Sequence, residues 1–288
     1  MQKIDFDHLF PDEREKGNTR IRQCQLVMSR MLKIMDFLCT KHNVKYFLTE
    51  GSLRGAMIFQ GFLPWDDDLD VGMTRDNYEK FVQLVVPELP DDIFFQNDKT
   101  DRYYPSCHVI EAKLRDKYSS YKREKNTKTK NLYTFHDGLQ IDISIYDRSY
   151  LPNNFFVYAF NKILIFFFKK KGDKKRANFL KWISKYSPFP LAYGSSFIGN
   201  WKKMKHRANY IKEKEIKNLI RTRFEDIETY IPQGWESYLN RHYGNYKQLP
   251  SIESQTGQHG MSMPDPFTPC NHYEILDWTS RKFINKFN

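Results

Sequence analysis

Four of the five residues from Asp66 to Asp70 are aspartates, within the run Gly61-Phe62-Leu63-Pro64-Trp65-Asp66-Asp67-Asp68-Leu69-Asp70-Val71-Gly72-Met73. Their neighbours are aromatic or aliphatic, and the chain as a whole carries a formal charge of +11. Carboxylates crowded this closely raise one another's pKa and repel unless a cation sits among them. Unpaired carboxylates beside apolar side chains are also costly. The simplest chemistry for this stretch is a divalent-metal site.

Three kinds of metal site fit the residue types. A calcium loop of the EF-hand kind would use Asp66, Asp68 and Asp70, but it then requires Gly and Glu where this chain has Val71 and Asn77. That reading fails. A DxD motif, which in nucleotide-sugar glycosyltransferases holds a metal on a diphosphate, is satisfied by Asp66-Asp67-Asp68. The third reading is the nucleotidyltransferase arrangement: a Gly-Ser turn opening a helix, two carboxylates one residue apart on the next strand, and a third on a later strand. Gly51-Ser52, Asp68-Leu69-Asp70 and Asp142 occur in that order. Alternate residues of a strand share a face, so Asp68 and Asp70 can jointly hold Mg²⁺ or Mn²⁺ while Leu69 and Val71 enter the core. A Gly-Ser turn at a helix start offers backbone N–H groups and a hydroxyl to phosphate oxygens.

The elements that must position these residues follow from periodicity. Ile21, Cys24, Val27, Met28, Met31, Leu32, Met35 and Leu38 recur at helical spacing, which predicts a helix over 19–41. A strand over 44–48 runs into Thr49-Glu50-Gly51-Ser52, and Leu53 to Phe59 reads as a short helix. Asp68 to Met73 alternates as a strand, and Thr74 caps a helix over 75–86 that Pro87 and Pro90 end. Strands are predicted over 93–96, 107–115 and 139–146. In the last, Leu139, Ile141, Ile143 and Ile145 face one side, and Gln140, Asp142 and Ser144 the other. Residues 118–131 read as a Lys-rich loop. Helices are expected over 174–186, 194–208 and 234–242, a strand over 224–231, and a Gly/Pro-rich loop over 255–269.

At 288 residues, with 40% apolar and 16% aromatic residues, the chain can bury a sizeable core. Its positive charge points to an anionic partner. A nucleic-acid binder is disfavoured, because such a protein gains nothing from buried aspartates. The start, Met1 to Gly17, is acidic and lacks an apolar run, so no secretory signal is expected. Cys24, Cys39, Cys107 and Cys270 are scattered and show no zinc spacing, which suits free thiols in a cytoplasmic protein. Phe155 to Phe168 is nearly all aromatic or aliphatic and is followed by Lys169-Lys170-Lys171-Gly172-Asp173-Lys174-Lys175-Arg176. Fourteen residues fall short of the roughly 20 a spanning helix needs. Two readings stay open: a buried helix, or a helix lying on an anionic membrane surface with a basic flank.

The run from Tyr46-Phe47-Leu48 through Gly51-Ser52-Leu53-Arg54-Gly55-Ala56 to Met73 resembles the LicD family of phosphocholine transferases, which is related to the fukutin-type ribitol-phosphate transferases. The resemblance extends to Lys113-Leu114-Arg115-Asp116, Ile141-Asp142-Ile143 and Tyr243-Gly244-Asn245-Tyr246 with Leu249-Pro250. The family pattern has Asp in place of Asn245. After the Leu-Pro it has a basic residue and a nearby His, for which His259 is the candidate. The resemblance implies an α+β fold: a nucleotidyltransferase-like mixed sheet flanked by helices, with a further helical region in the C-terminal half. The expected division is an arm over 1–17, a catalytic core over 18–150, a helical region over 151–222, and a C-terminal part over 223–288 that completes the site.

It further implies transfer of a phospho-alcohol from a CDP-activated donor such as CDP-choline to a sugar hydroxyl of a cell-surface glycan or lipid-linked precursor. Asp68, Asp70 and Asp142 would hold the metal. Asp66 is the candidate to take the acceptor proton, and Gly51, Ser52, Arg54, Lys113 and Arg115 are the candidates for phosphate contact. A DxD-type glycosyltransferase is the alternative.

Overall fold

The longest apolar periodicity becomes the longest element. The computed structural model describes residues 4–101, 104, 110–123, 136–148, 156, 159–160, 163–164, 166–167, 174–188, 191–194, 210–255 and 262–270. Helix α1 spans Arg20–Lys41, and its Thr19 cap accepts a hydrogen bond from the Arg22 amide at 3.1 Å. Cys24, Val27, Met28, Met31, Leu32, Met35 and Leu38 form its buried face. That face shares one core with Leu139, Ile141, Ile143 and Ile145, and α1 lies across the strands that carry them.

The fold is α+β, a mixed sheet flanked by helices. Its strands are β1 (Phe47–Leu48), β2 (Leu69–Thr74), β3 (Ile93–Gln96), β4 (Ala112–Asp116) and β6 (Gln140–Arg148), ordered β1-β2-β6-β4-β3. β2 runs parallel to β6, and the other pairs along this path are antiparallel. The far end of β6 also pairs with β7 (Leu191–Gly194), which pairs in turn with β8 (Tyr210–Lys212). Helix α2 (Glu50–Phe59) connects β1 to β2, and α3 (Arg75–Lys80) follows β2 directly. Beyond α3 the chain continues through a wide turn over Phe81–Val85 and a tight one over Val86–Glu88, where Pro87 enters and the helix ends. Helices α4 (Lys174–Lys185) and α5 (Trp235–Tyr243) lie where periodicity places them.

Five expectations change. β1 is confined to Phe47–Leu48, although Val44 and Tyr46 are also buried. Ser120–Arg123, inside the expected loop, is strand β5, paired with β11 (Ser262–Asp265) inside the other expected loop. Each strand finds its partner far away in the chain, so neither segment shows a local signal. The single strand over 224–231 is instead a hairpin of β9 (Leu219–Phe224) and β10 (Ile227–Pro232). Glu225 takes the turn with φ +58°, a conformation usually marked by Gly or Asn. Of the helix expected over 194–208, residue 194 closes β7 and the remainder lies outside the described residues.

Cys24 and Cys39 are free and buried and Cys270 is buried, while Cys107 and His259 lie outside the described residues. So does much of the 155–176 segment. Among the described residues, no helix is long and apolar enough to cross a membrane.

Candidate active site

Strand register builds the centre of the site. Asp70 on β2 is the cross-strand partner of Asp142 on β6, which is the partner of Lys113 on β4. Three charged side chains therefore stand side by side across three adjacent strands. Two carboxylates in that relation repel unless a cation intervenes. Lys113 answers part of this, its Nζ lying 2.5 Å from Asp142 Oδ1. Asp68, one residue ahead of β2, completes the group: Asp68, Asp70 and Asp142 each bring a carboxylate oxygen within 4.8 Å of the others. Asp66, Asp67 and Asp68 form a second such set.

The first turn of α2 fixes Asp70 by both of its backbone groups. The Thr49 amide donates to Asp70 O at 3.1 Å, and the Asp70 amide donates to Ser52 Oγ at 2.8 Å. The Ser52 hydroxyl thus aligns the strand carboxylate. Gly51 is glycine because the Asp66 carboxylate lies against it: an added Cβ would stand 2.8 Å from Asp66 Oδ2. The acidic loop is tethered to α1 by Gln25, whose Nε2 donates to Leu63 O at 3.2 Å and Asp66 O at 3.1 Å. The Tyr121 hydroxyl donates to Asp67 O from β5.

Electrostatics follow from this crowding. Burial, followed by the neighbouring Asp68, pushes Asp66 up to about 9. Asp70 is pushed well above the usual carboxylate range, first by burial and then by Asp68, Glu50 and Asp142. The cluster is short of positive charge, and a divalent cation among these oxygens would reverse both shifts. The donor set, all carboxylate oxygen, suits a hard ion such as Mg²⁺ or Mn²⁺.

The two arginines take other positions. Arg54 Nε donates to Tyr246 O at 2.8 Å and Nη2 to Gln248 O at 2.6 Å, with its guanidinium 5.0 Å over the Tyr243 ring. It binds the segment after α5 to α2. Arg115 is fully buried and donates to Gln96 Oε1 at 2.8 Å and Gly138 O at 2.7 Å. Of the three cations considered for phosphate contact, Lys113 is the one that stands among the aspartates.

Two residues outside the sequence candidates join the site. Glu50 begins α2 with φ +47°, and its Oε2 lies 3.7 Å from Nε2 of His242 on α5. The His242 ring stacks on Tyr238 and meets Tyr243 edge-on, with centroids 4.5 Å apart in the second pair. Glu50 adjoins Gly51-Ser52, and that adjacency was the one signal available. The approach of α5 needs the tertiary fold.

Neighbouring strands thus gather three carboxylates behind a Gly-Ser helix start, the ordered set expected of a nucleotidyltransferase-like core. Residues 43–156 match the family model described as the LicD/FKTN/FKRP nucleotidyltransferase domain. Over 264 aligned residues the chain is 27% identical to the lipopolysaccharide cholinephosphotransferase LicD of Haemophilus influenzae, covering 83% of this chain and 96% of that one. It is also 33% identical over 109 residues to an uncharacterized protein of Rickettsia prowazekii, covering 38% of this chain and 37% of the relative. Over residues 43–156 the chain is similar to the LicD family, and the similarity to one of its members runs through most of the chain.

Proposed function

We propose that this protein is a transferase that moves phosphocholine, or a similar phospho-alcohol, from a CDP-activated donor to a sugar hydroxyl of a lipopolysaccharide-like glycan precursor. The observation that carries the reading is the alignment of Asp70, Asp142 and Lys113 across three strands, with Asp68 at the strand entrance. The kinship with a lipopolysaccharide cholinephosphotransferase supplies the substrate class.

Asp68, Asp70 and Asp142 would hold the metal. When bound there, Mg²⁺ or Mn²⁺ supplies positive charge to the donor diphosphate. In the reaction the acceptor oxygen bonds to the β-phosphorus, and the bond from that phosphorus to CMP breaks. Thr49 and Ser52 keep the Asp70 backbone fixed, so its carboxylate needs no reorganisation during transfer. Lys113 offers a second positive charge to phosphate oxygens from the β4 side.

The test is purified protein with Mg²⁺ or Mn²⁺ and a donor panel of CDP-choline, other CDP-alcohols, UDP-sugars and GDP-sugars. CMP release from a CDP-alcohol is expected, and it should be lost in Asp68→Asn and Asp70→Asn while both variants melt normally. Turnover of UDP- or GDP-sugars alone would favour a DxD glycosyltransferase. Full activity in both variants would sink the metal assignment.

The same reading puts the protein on the cytoplasmic face of an anionic membrane, near a lipid-carried acceptor. Helix α4 supports it. Lys175, Phe179, Trp182 and Tyr186 are exposed at a spacing that forms one outward stripe, while Leu180 and Ser184 are buried. The Phe179 and Trp182 rings stack at 6.2 Å, and Trp182 meets Tyr186 at 5.8 Å. Outward Trp and Tyr beside Lys are the composition of a helix lying in a membrane interface.

A further inference from the structure

Glu50 combines two features that oppose folding. It is a non-glycine residue in the left-handed region, and it adds a negative charge beside carboxylates that already repel. Glycine at this position would remove both. Residues held in such conformations gather at functional sites, where the surrounding structure maintains them. The surroundings here are well defined. Thr49 and Ser52, on either side of Glu50 and Gly51, hold Asp70 by its two backbone groups. The His242 side chain, 1% exposed, stands behind the glutamate, 3.7 Å from nitrogen to oxygen. The Glu50 side chain itself is 33% exposed. Asp66 is 1% exposed and is packed against Gly51. Of the two carboxylates, Glu50 is therefore the one with solvent access, and Asp66 is enclosed.

We propose that Glu50 is a catalytic residue that takes the proton of the attacking hydroxyl, with His242 as the positioning residue that aims it. This rests on the transfer reading above. In the step, the acceptor O–H bond breaks as its oxygen bonds to the β-phosphorus. The proton passes to a Glu50 oxygen, the phosphorus–oxygen bond to CMP breaks, and CMP leaves with the electron pair. Glu50, rather than Asp66, fills the role that acidic crowding alone had suggested for Asp66.

The experiment uses the full chain with Mg²⁺ and CDP-choline, following CMP release with water as acceptor. Glu50→Gln and Glu50→Gly are expected to lower kcat about 100-fold or more, as loss of a general base does, with KM within about twofold. Their Mn²⁺ affinity should match wild type, and Glu50→Gly should melt no lower than wild type. Formate, a carboxylate small enough for the vacated space, should restore activity to Glu50→Gly and leave Glu50→Gln unchanged. A purely structural glutamate would show no such rescue. His242→Phe keeps a ring on Tyr238 and should lower kcat at unchanged Mn²⁺ affinity; an unchanged kcat overturns the positioning role. The base role is overturned if either Glu50 variant turns over like wild type, if formate has no effect, or if Mn²⁺ affinity falls as in Asp70→Asn. A wild-type protein that releases no CMP from any CDP-alcohol instead defeats the transfer reading, and this proposal with it.

Discussion

Ser52 and Asp70 are joined side chain to main chain, the serine Oγ accepting the aspartate amide at 2.8 Å. The helix start thereby sets where the strand carboxylate points. Ser52→Ala leaves a part-buried amide without its acceptor, at a cost of about 1–3 kcal/mol. Thermal melting should show the loss, and Mn²⁺ titration should show weaker binding, because Asp70 is no longer aligned. Unchanged Mn²⁺ affinity would separate the two residues functionally.

Lys113 is the buried cation beside Asp142, and Asp142 lies next to Asp70 in register. Lys113→Met leaves a buried carboxylate without its partner, an imbalance that costs about 3–5 kcal/mol. Urea unfolding without divalent ions should show the full loss. Adding Mg²⁺ should recover much of it, since the ion supplies the missing charge. A loss that is the same with and without Mg²⁺ would argue that the ion binds elsewhere.

Asp66 titrates near 3.8 in an unfolded chain and is pushed up to about 9 when folded. The folded state therefore retains a proton that the unfolded state releases across that window. Its contribution to stability is present at low pH and is lost as pH rises through the window. Without divalent ions, the melting temperature should fall between about pH 6 and about pH 9. Asp66→Asn should flatten this slope and raise the melting temperature at the alkaline end. A melting temperature that climbs with pH would contradict the sign.

The outward row on α4 gives a binding prediction. Replacing Phe179 and Trp182 with serine leaves the buried Leu180 in place and should preserve the melting temperature. Flotation with phosphatidylglycerol-containing vesicles should drop sharply, and flotation with neutral vesicles should be weak throughout. Undiminished flotation would move the contact to another surface.

Helix α1 and strands β2 and β6 were readable because each carries one apolar face, which imposes a period on its sequence. Asp142 was readable for the same reason: it falls on the polar face of a strand whose other face is Leu139, Ile141, Ile143 and Ile145. The pairing of Asp70 with Asp142 supplies what periodicity cannot, the register between two strands. β5 and β11 had no local signature, since each depends on a partner more than a hundred residues away. Arg54 looked like a phosphate ligand because guanidinium suits phosphate, yet the same donors suit the carbonyls of Tyr246 and Gln248 that the fold brings to it. Glu50 and His242 were each unremarkable alone and became a pair through the docking of α5.

The Arg54 bridge to Tyr246 and Gln248 links the start of the site to a segment about 190 residues later. During synthesis the aspartate-bearing strands emerge well before the chain that closes over Arg54. Closing the chain over Arg54 is thus a contact of very high sequence separation, whose loop-closure entropy must be met before the contact contributes anything.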